Sequence, residues 1–171
     1  MDIIGSGLDA TEIERIAVAM ERYGDRFVRR IFTQGEIEYC RRKRDFASSF
    51  AARFAAKEAA MKALGTGQSR GVYWRGIEVV RHHGPPQLRC HGGAAARFAA
   101  MGATGSLLTL THSRELAIAH VLLLRAGYLR FTGARPGIGI RLASAANRRR
   151  VSPLARQLSL RAAGHFLASL R

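Results

Sequence analysis

Three residues of the sequence carry chemistry at informative spacing: Asp9, Glu58 and Lys62. Glu58 and Lys62 lie in RFAAKEAAMKALGTG (residues 53–67), a run dominated by alanine, the residue that lets a helix pack closely. Four apart with the acid leading, they suit a solvated surface pair worth about 0.2–0.5 kcal/mol. The alternative is a site at the edge of a covered helix. Phe54, Glu58 and Lys62 share one stripe, its flanks are alanine, and a carboxylate there needs a cation, either Lys62 or a metal ion. Asp9 also has two readings. Asp9-Ala-Thr-Glu12 fits a helix N-cap. An acid closing a strand can also help hold Mg²⁺, which takes one or two carboxylates, water and substrate phosphate oxygens.

Other residues could contact phosphate. His112, between Thr111 and Ser113, offers an imidazole among hydroxyls, or is simply an exposed turn residue. Gly65 and Gly67 stop the alanine-rich helix, and glycine also lets backbone N–H groups approach an anion. His82, His83, His91, His120 and His165 show no ligand spacing, and neither a Gly-x-Ser-x-Gly elbow nor a Cys/His pair supplies a nucleophile.

The elements that must position these groups follow from patterning. An apolar, glycine-punctuated run at residues 2–8 predicts a buried strand, and Ile13, Ile16, Ala17 and Met20 predict a helix after Asp9. Thr33 and Glu36 form a capping box for a second helix running into Arg41, Arg42, Lys43 and Arg44. A third helix spans residues 46–64. Residues 72–81 and 87–91 read as strands around a turn at 83–86, and residues 92–101 as a helix. Residues 106–111 and 116–124 read as an antiparallel hairpin. Helices early and strands late predict an α+β domain, helices packed on an antiparallel sheet.

At 171 residues, 47% hydrophobic, the chain suits one domain with a real core. Its start lacks the pattern of a secretory leader, its longest apolar stretch is too short to span a bilayer, and Cys40 and Cys90 form no disulfide framework. A cytoplasmic protein is the expectation. The net charge of +16 is uneven: residues 1–126 hold 19 Lys/Arg and 12 Asp/Glu, whereas residues 127–171 hold 9 Arg and no acid. Such a face attracts nucleic acid, anionic lipid, an acidic protein or a phosphate-rich ligand. A nucleic-acid-binding protein would interleave its basic residues with aromatics, and the tail has only Tyr128, Phe131 and Phe166. No nucleic acid is expected. The division is therefore residues 1–126 and a basic C-terminal extension at 127–171, read as a linker with a marginal amphipathic helix starting at Ser152-Pro153. Contact of this segment with a membrane, a partner or the domain itself stays open.

Taken together, these pieces resemble the holo-[acyl-carrier-protein] synthases, the short-chain family of 4′-phosphopantetheinyl transferases. The resemblance is carried by GSGLDATEIER (5–15), RIFT (30–33) with Glu36, FAAKEA (54–59) with KALGTG (62–67), Trp74 with IEV (77–79), Gly84-Pro85, and LTHS (110–113) with Ala117 and Ala119. It implies transfer of the phosphopantetheine arm of coenzyme A to a serine of an acidic apo acyl carrier protein, in fatty acid biosynthesis, with release of adenosine 3′,5′-bisphosphate. It also implies that Asp9 and Glu58 bind Mg²⁺ and that Lys62 faces the transferred phosphate. Thr111, His112 and Ser113, with Gly65 and Gly67, would bind coenzyme A. The serine proton would go to Glu58 or to a metal-bound water. A homotrimer with shared active sites is the implied assembly. Arg15 stands at a family-matched docking position, and Arg41, Arg42, Lys43 and Arg44 are added by charge alone. A degenerate synthase kept for interaction is disfavoured because Asp9, Glu58 and Lys62 are all present. The chain departs from the family in Thr111, usually serine, and in residues 127–171, which have no family counterpart.

Overall fold

The computed structural model describes residues 1–81 and 84–127. The expected helix at Ser152-Pro153, and the assignment of residues 128–171 to a linker, lie outside the described residues.

Strand β1 (Asp2–Glu12) leads into helix α1 (Ile13–Ile31), which kinks at Gly24, φ 54°. Helices α2 (Gln34–Arg41) and α3 (Phe46–Leu64) follow. A 3-10 turn (Trp74–Gly76) precedes the hairpin β2 (Ile77–Val80) and β3 (Gln87–Cys90), then helix α4 (Gly92–Ala100). Strands β4 (Gly105–His112) and β5 (Leu116–Arg125) close the domain. The three-stranded antiparallel sheet has the order β1-β5-β4, and β2 and β3 pair separately. The α+β architecture of helices on an antiparallel sheet is therefore as expected.

α3 is the core element. Phe50, Ala51, Phe54, Ala55, Ala56, Ala59, Ala60, Met61 and Leu64 are all buried, as a helix apolar on nearly every side must be. Asp45 caps its start by accepting from the Ser48 N–H at 3.1 Å, and Gly65 ends it in the left-handed conformation, φ 67°. The helix lies directly on β1. A Cβ at Gly5 or Gly7 would overlap the carbonyl of Ala63 or Ala59, so strand and helix meet backbone to backbone. That contact carries Asp9, two residues beyond Gly7, to the Glu58–Lys62 segment.

Three expectations need correction. β1 is not buried and does not stop at Asp9: it runs to Glu12 along the sheet edge, with Ile3 63% and Leu8 60% exposed. Asp9 pairs with Ala119 inside that strand and caps no helix; Glu12 takes the cap position of α1 without a side-chain bond. The strand expected from residue 72 begins only at Ile77, because the backbone before it hydrogen-bonds elsewhere. Gly76 donates to the Tyr73 carbonyl at 2.9 Å, and the Trp74 carbonyl accepts from Lys57 at 2.9 Å.

The candidate active site

The capping box read from the sequence is complete: Thr33 Oγ1 accepts from the Glu36 N–H at 3.3 Å, and Glu36 Oε2 accepts from the Thr33 N–H at 2.9 Å. The same Glu36 carboxylate reaches into the core, where Oε2 binds Lys57 Nζ at 2.8 Å and Oε1 accepts from the Val79 N–H at 2.9 Å. Lys57 and Glu36 side chains are both 0% exposed. Lys57 also donates to the carbonyls of Trp74 and Ile77. A buried charge must be paired and hydrogen-bonded, and this one is fully so. Burial pushes the Lys57 ammonium below the usual lysine range, with Glu36 opposing.

One residue further along α3, Glu58 is half-buried, and its Oε1 accepts from Trp74 Nε1 at 2.6 Å. Burial raises the carboxyl above the usual glutamate range; the Trp74 N–H lowers it, the nearby Asp9 charge raises it, and Lys62 and Arg15 lower it. Asp9 and Glu58 are thus close enough to feel each other. Lys62 closes on Asp9, with Nζ 2.8 Å from Oδ1 and 3.0 Å from the Leu8 carbonyl. Asp9 Oδ2 accepts from Thr11 Oγ1 at 3.0 Å. The surface Glu58–Lys62 pair gives way to a pair across 53 positions, because β1 lies against the helix.

The chain therefore gathers Asp9, Glu58, Lys62 and, by its charge, Arg15 at the β1–α3 contact. Thr111, His112 and Ser113 lie elsewhere. His112 ends β4, opposite Ala117, and is exposed; its charge acts on Asp45, at the start of α3. From Asp45 to Glu58 the helix rises about 20 Å. Ser113 Oγ accepts from the N–H groups of Glu115 and Leu116 at 3.2 and 3.1 Å, so its hydroxyl shapes the hairpin turn. Gly65 and Gly67 have φ of 67° and 55° at the carbonyl end of α3, where Arg97 Nε donates to the Leu64 carbonyl at 3.0 Å. That end of a helix repels anions, so phosphate there must be met by cations. Arg41 binds Asp25 Oδ1 at 2.5 Å, while Arg44 lies exposed in the turn after α2. Sequence reading assigned no role to Trp74 or Lys57 and gave Glu36 only the helix cap. The quoted motifs contain all three, but only the fold puts the indole on Glu58.

Residues 5–119 match the model of the 4′-phosphopantetheinyl transferase superfamily. Among curated relatives, the holo-[acyl-carrier-protein] synthase of Solibacter usitatus is 48% identical over 122 residues, covering 71% of this chain and 98% of that one. The synthase of Nitratidesulfovibrio vulgaris is 52% identical over 122 residues, with the same two coverages. Among solved structures, the synthase of Neisseria meningitidis superposes with a TM-score of 0.68 at 27% identity, covering 72% of this chain and all of that one. The Bacillus anthracis synthase in complex with CoA (3′,5′-ADP) gives 0.58 at 33% identity, covering 72% and 98%. The chain belongs to the holo-[acyl-carrier-protein] synthase family of 4′-phosphopantetheinyl transferases.

Proposed function

We propose that the protein transfers 4′-phosphopantetheine from coenzyme A to a serine of an apo acyl carrier protein, with Mg²⁺. The observation that carries this reading is the convergence of Asp9, Glu58 and Lys62 from two elements far apart in sequence. Two carboxylates with little else form the donor set that suits Mg²⁺, and an ammonium already rests on one of them. Asp9 and Glu58 would hold the ion, which supplies charge neutralisation on the diphosphate of coenzyme A. The serine Oγ bonds to the β-phosphorus of that diphosphate. The bond from this phosphorus to the bridging oxygen breaks, and adenosine 3′,5′-bisphosphate leaves with the electron pair. Lys62, the exposed ammonium, meets the phosphoryl oxygens as charge develops on them. The serine proton would go to Glu58, directly or through a water molecule.

A homotrimer sharing its sites accommodates the separation of Thr111, His112 and Ser113 from Glu58. In an assembly, the His112 end of one copy can complete the Asp9–Glu58 site of the next, with Gly65 and Gly67 beside it. Ile3, Leu8, Leu107 and Leu116, exposed on strands of one sheet, offer apolar surface for that contact. Arg15, whose charge reaches Glu58, is the docking cation best placed for an acidic carrier protein; Arg41 and Arg44 extend the basic surface. Residues 1–126 are the transferase domain and residues 127–171 a basic extension. Fatty acid biosynthesis in the cytoplasm is the proposed setting, and among the described residues no helix is long and apolar enough to cross a membrane.

Mass spectrometry of apo carrier protein incubated with the enzyme, Mg²⁺ and coenzyme A tests this. The expected result is a phosphopantetheine mass gain that chelation abolishes; no gain under those conditions ends the proposal. Light scattering of the full chain should return the mass of three copies.

A further inference from the structure

Trp74 is the chain's only tryptophan and is 6% exposed. Its indole N–H can donate but cannot accept or bind a metal, so its 2.6 Å bond to Glu58 Oε1 competes with no cation. The indole is itself held. Its backbone carbonyl accepts from Lys57 at 2.9 Å, and its ring lies 6.2 Å, centroid to centroid, from Phe54. Lys57 is fixed in turn by Glu36 at 2.8 Å, and Glu36 by the backbone N–H groups of Thr33 and Val79. An unbroken chain of bonds thus runs from the capping box of α2, through the buried ion pair, to Glu58.

We infer that Trp74 is a positioning residue: its indole N–H holds Oε1 of Glu58 and offers the other carboxylate oxygen to the divalent cation. The inference rests on the transferase reading and adds to it a residue with no direct part in the reaction. A free glutamate side chain samples several rotamers, and a second carboxylate nearby pushes it away. The indole bond restrains the carboxylate before the cation arrives, as partners of metal-binding carboxylates commonly do.

The experiment compares wild-type protein with W74F, which keeps an aromatic ring and loses the N–H. Mn²⁺ serves as the probe, with the unbound ion counted by electron paramagnetic resonance and no coenzyme A present. W74F should bind Mn²⁺ about 10- to 100-fold more weakly. The Mg²⁺ concentration giving half-maximal transfer should rise by a similar factor, while KM for coenzyme A at saturating Mg²⁺ stays within about twofold of wild type, which a general loss of packing would not produce. A second arm needs no substitution at Trp74. Tryptophan emission of the wild-type protein reports on this one site, so Mg²⁺ alone should change it, and E58A should remove that response. Wild-type protein that binds no Mn²⁺ overturns the metal assignment, and this role with it. Wild-type protein that binds Mn²⁺ with unchanged emission, or W74F that binds it as tightly as wild type, overturns the role of Trp74 alone.

Discussion

Helix α3 carries two lysines five positions apart, each with its ammonium 2.8 Å from a carboxylate, and the two pairs do opposite work. Lys57–Glu36 is wholly enclosed and satisfied by backbone groups. Lys62–Asp9 sits at a rim, with side chains 44% and 16% exposed. The first cannot open without leaving a charge stranded in the core. The second can exchange its partner for a phosphate or a cation at little cost, since exposed pairs contribute about 0–1 kcal/mol. Equal distances therefore say nothing of role; access to solvent decides it.

The largest expected effect is on the enclosed pair. Lys57→Met strands Glu36 and should cost about 3–5 kcal/mol, read as a fall in melting temperature or a loss of soluble protein. Replacing both partners, Lys57→Met with Glu36→Leu, removes the stranded charge but leaves the Thr33 and Val79 N–H groups and the Trp74 and Ile77 carbonyls without these partners, so it should restore only part of that loss; full recovery would show that those backbone bonds contribute little. Lys62→Met should instead lower kcat about 10²- to 10³-fold while the melting temperature changes by only a few degrees. A loss of stability comparable to that of Lys57→Met would erase the contrast. Gly7→Ala forces β1 off α3 and should cost about 1–3 kcal/mol, with a drop in transfer as Asp9 moves from Glu58.

Acidity sharpens the comparison at smaller scale. The Glu58 carboxyl lies above the usual glutamate range, so it keeps its proton to higher pH than a free glutamate. Metal binding needs the deprotonated form, so Mn²⁺ affinity should begin to fall at a higher pH than a free glutamate would require, by at most about tenfold per pH unit. Asp9→Asn removes one charge that raises Glu58 but also one of the two proposed ligands, so it should weaken Mn²⁺ binding at every pH. Folding carries the matching sign: where unfolded Glu58 is already ionised but folded Glu58 is still protonated, stability declines as pH rises. The smallest effect belongs to docking. Arg15→Glu should raise KM for the carrier protein about tenfold at low salt, with the difference shrinking as salt screens it, and should leave KM for free coenzyme A nearly unchanged.

The same contrast explains what the sequence made legible. Local rules placed α3 at residues 46–64, its Gly65 cap, the Thr33–Glu36 box and the β4–β5 hairpin, because each is decided by neighbours within a few positions. Asp9, Glu58 and Lys62 were found as types at a spacing and through their resemblance to a family. The partner Lys62 takes was not, since Asp9 is brought in from 53 positions away. Lys57 left no trace in periodicity: a helix apolar on nearly all sides has no polar face against which a buried cation stands out. The N-terminal strand misled because an edge strand with one open face shows the same apolar letters as a buried one. Trp74 was visible only as a family letter. Its bond to Glu58 spans 16 positions, and its backbone carbonyl is held by Lys57 from 17 positions away, neither of which a local pattern encodes.

The glycine contact between β1 and α3 has a mechanical consequence. Ordinary layers are separated by side chains, whose rotamers act as shims that drift with temperature and with every neighbouring substitution. At Gly5 and Gly7 no shim exists: carbonyl oxygens of the helix bear on bare strand backbone. The spacing of β1 and α3 is thus a hard stop, set by atomic radii, and the rest of the domain can be repacked around it without shifting the strand that carries Asp9 along the helix that carries Glu58.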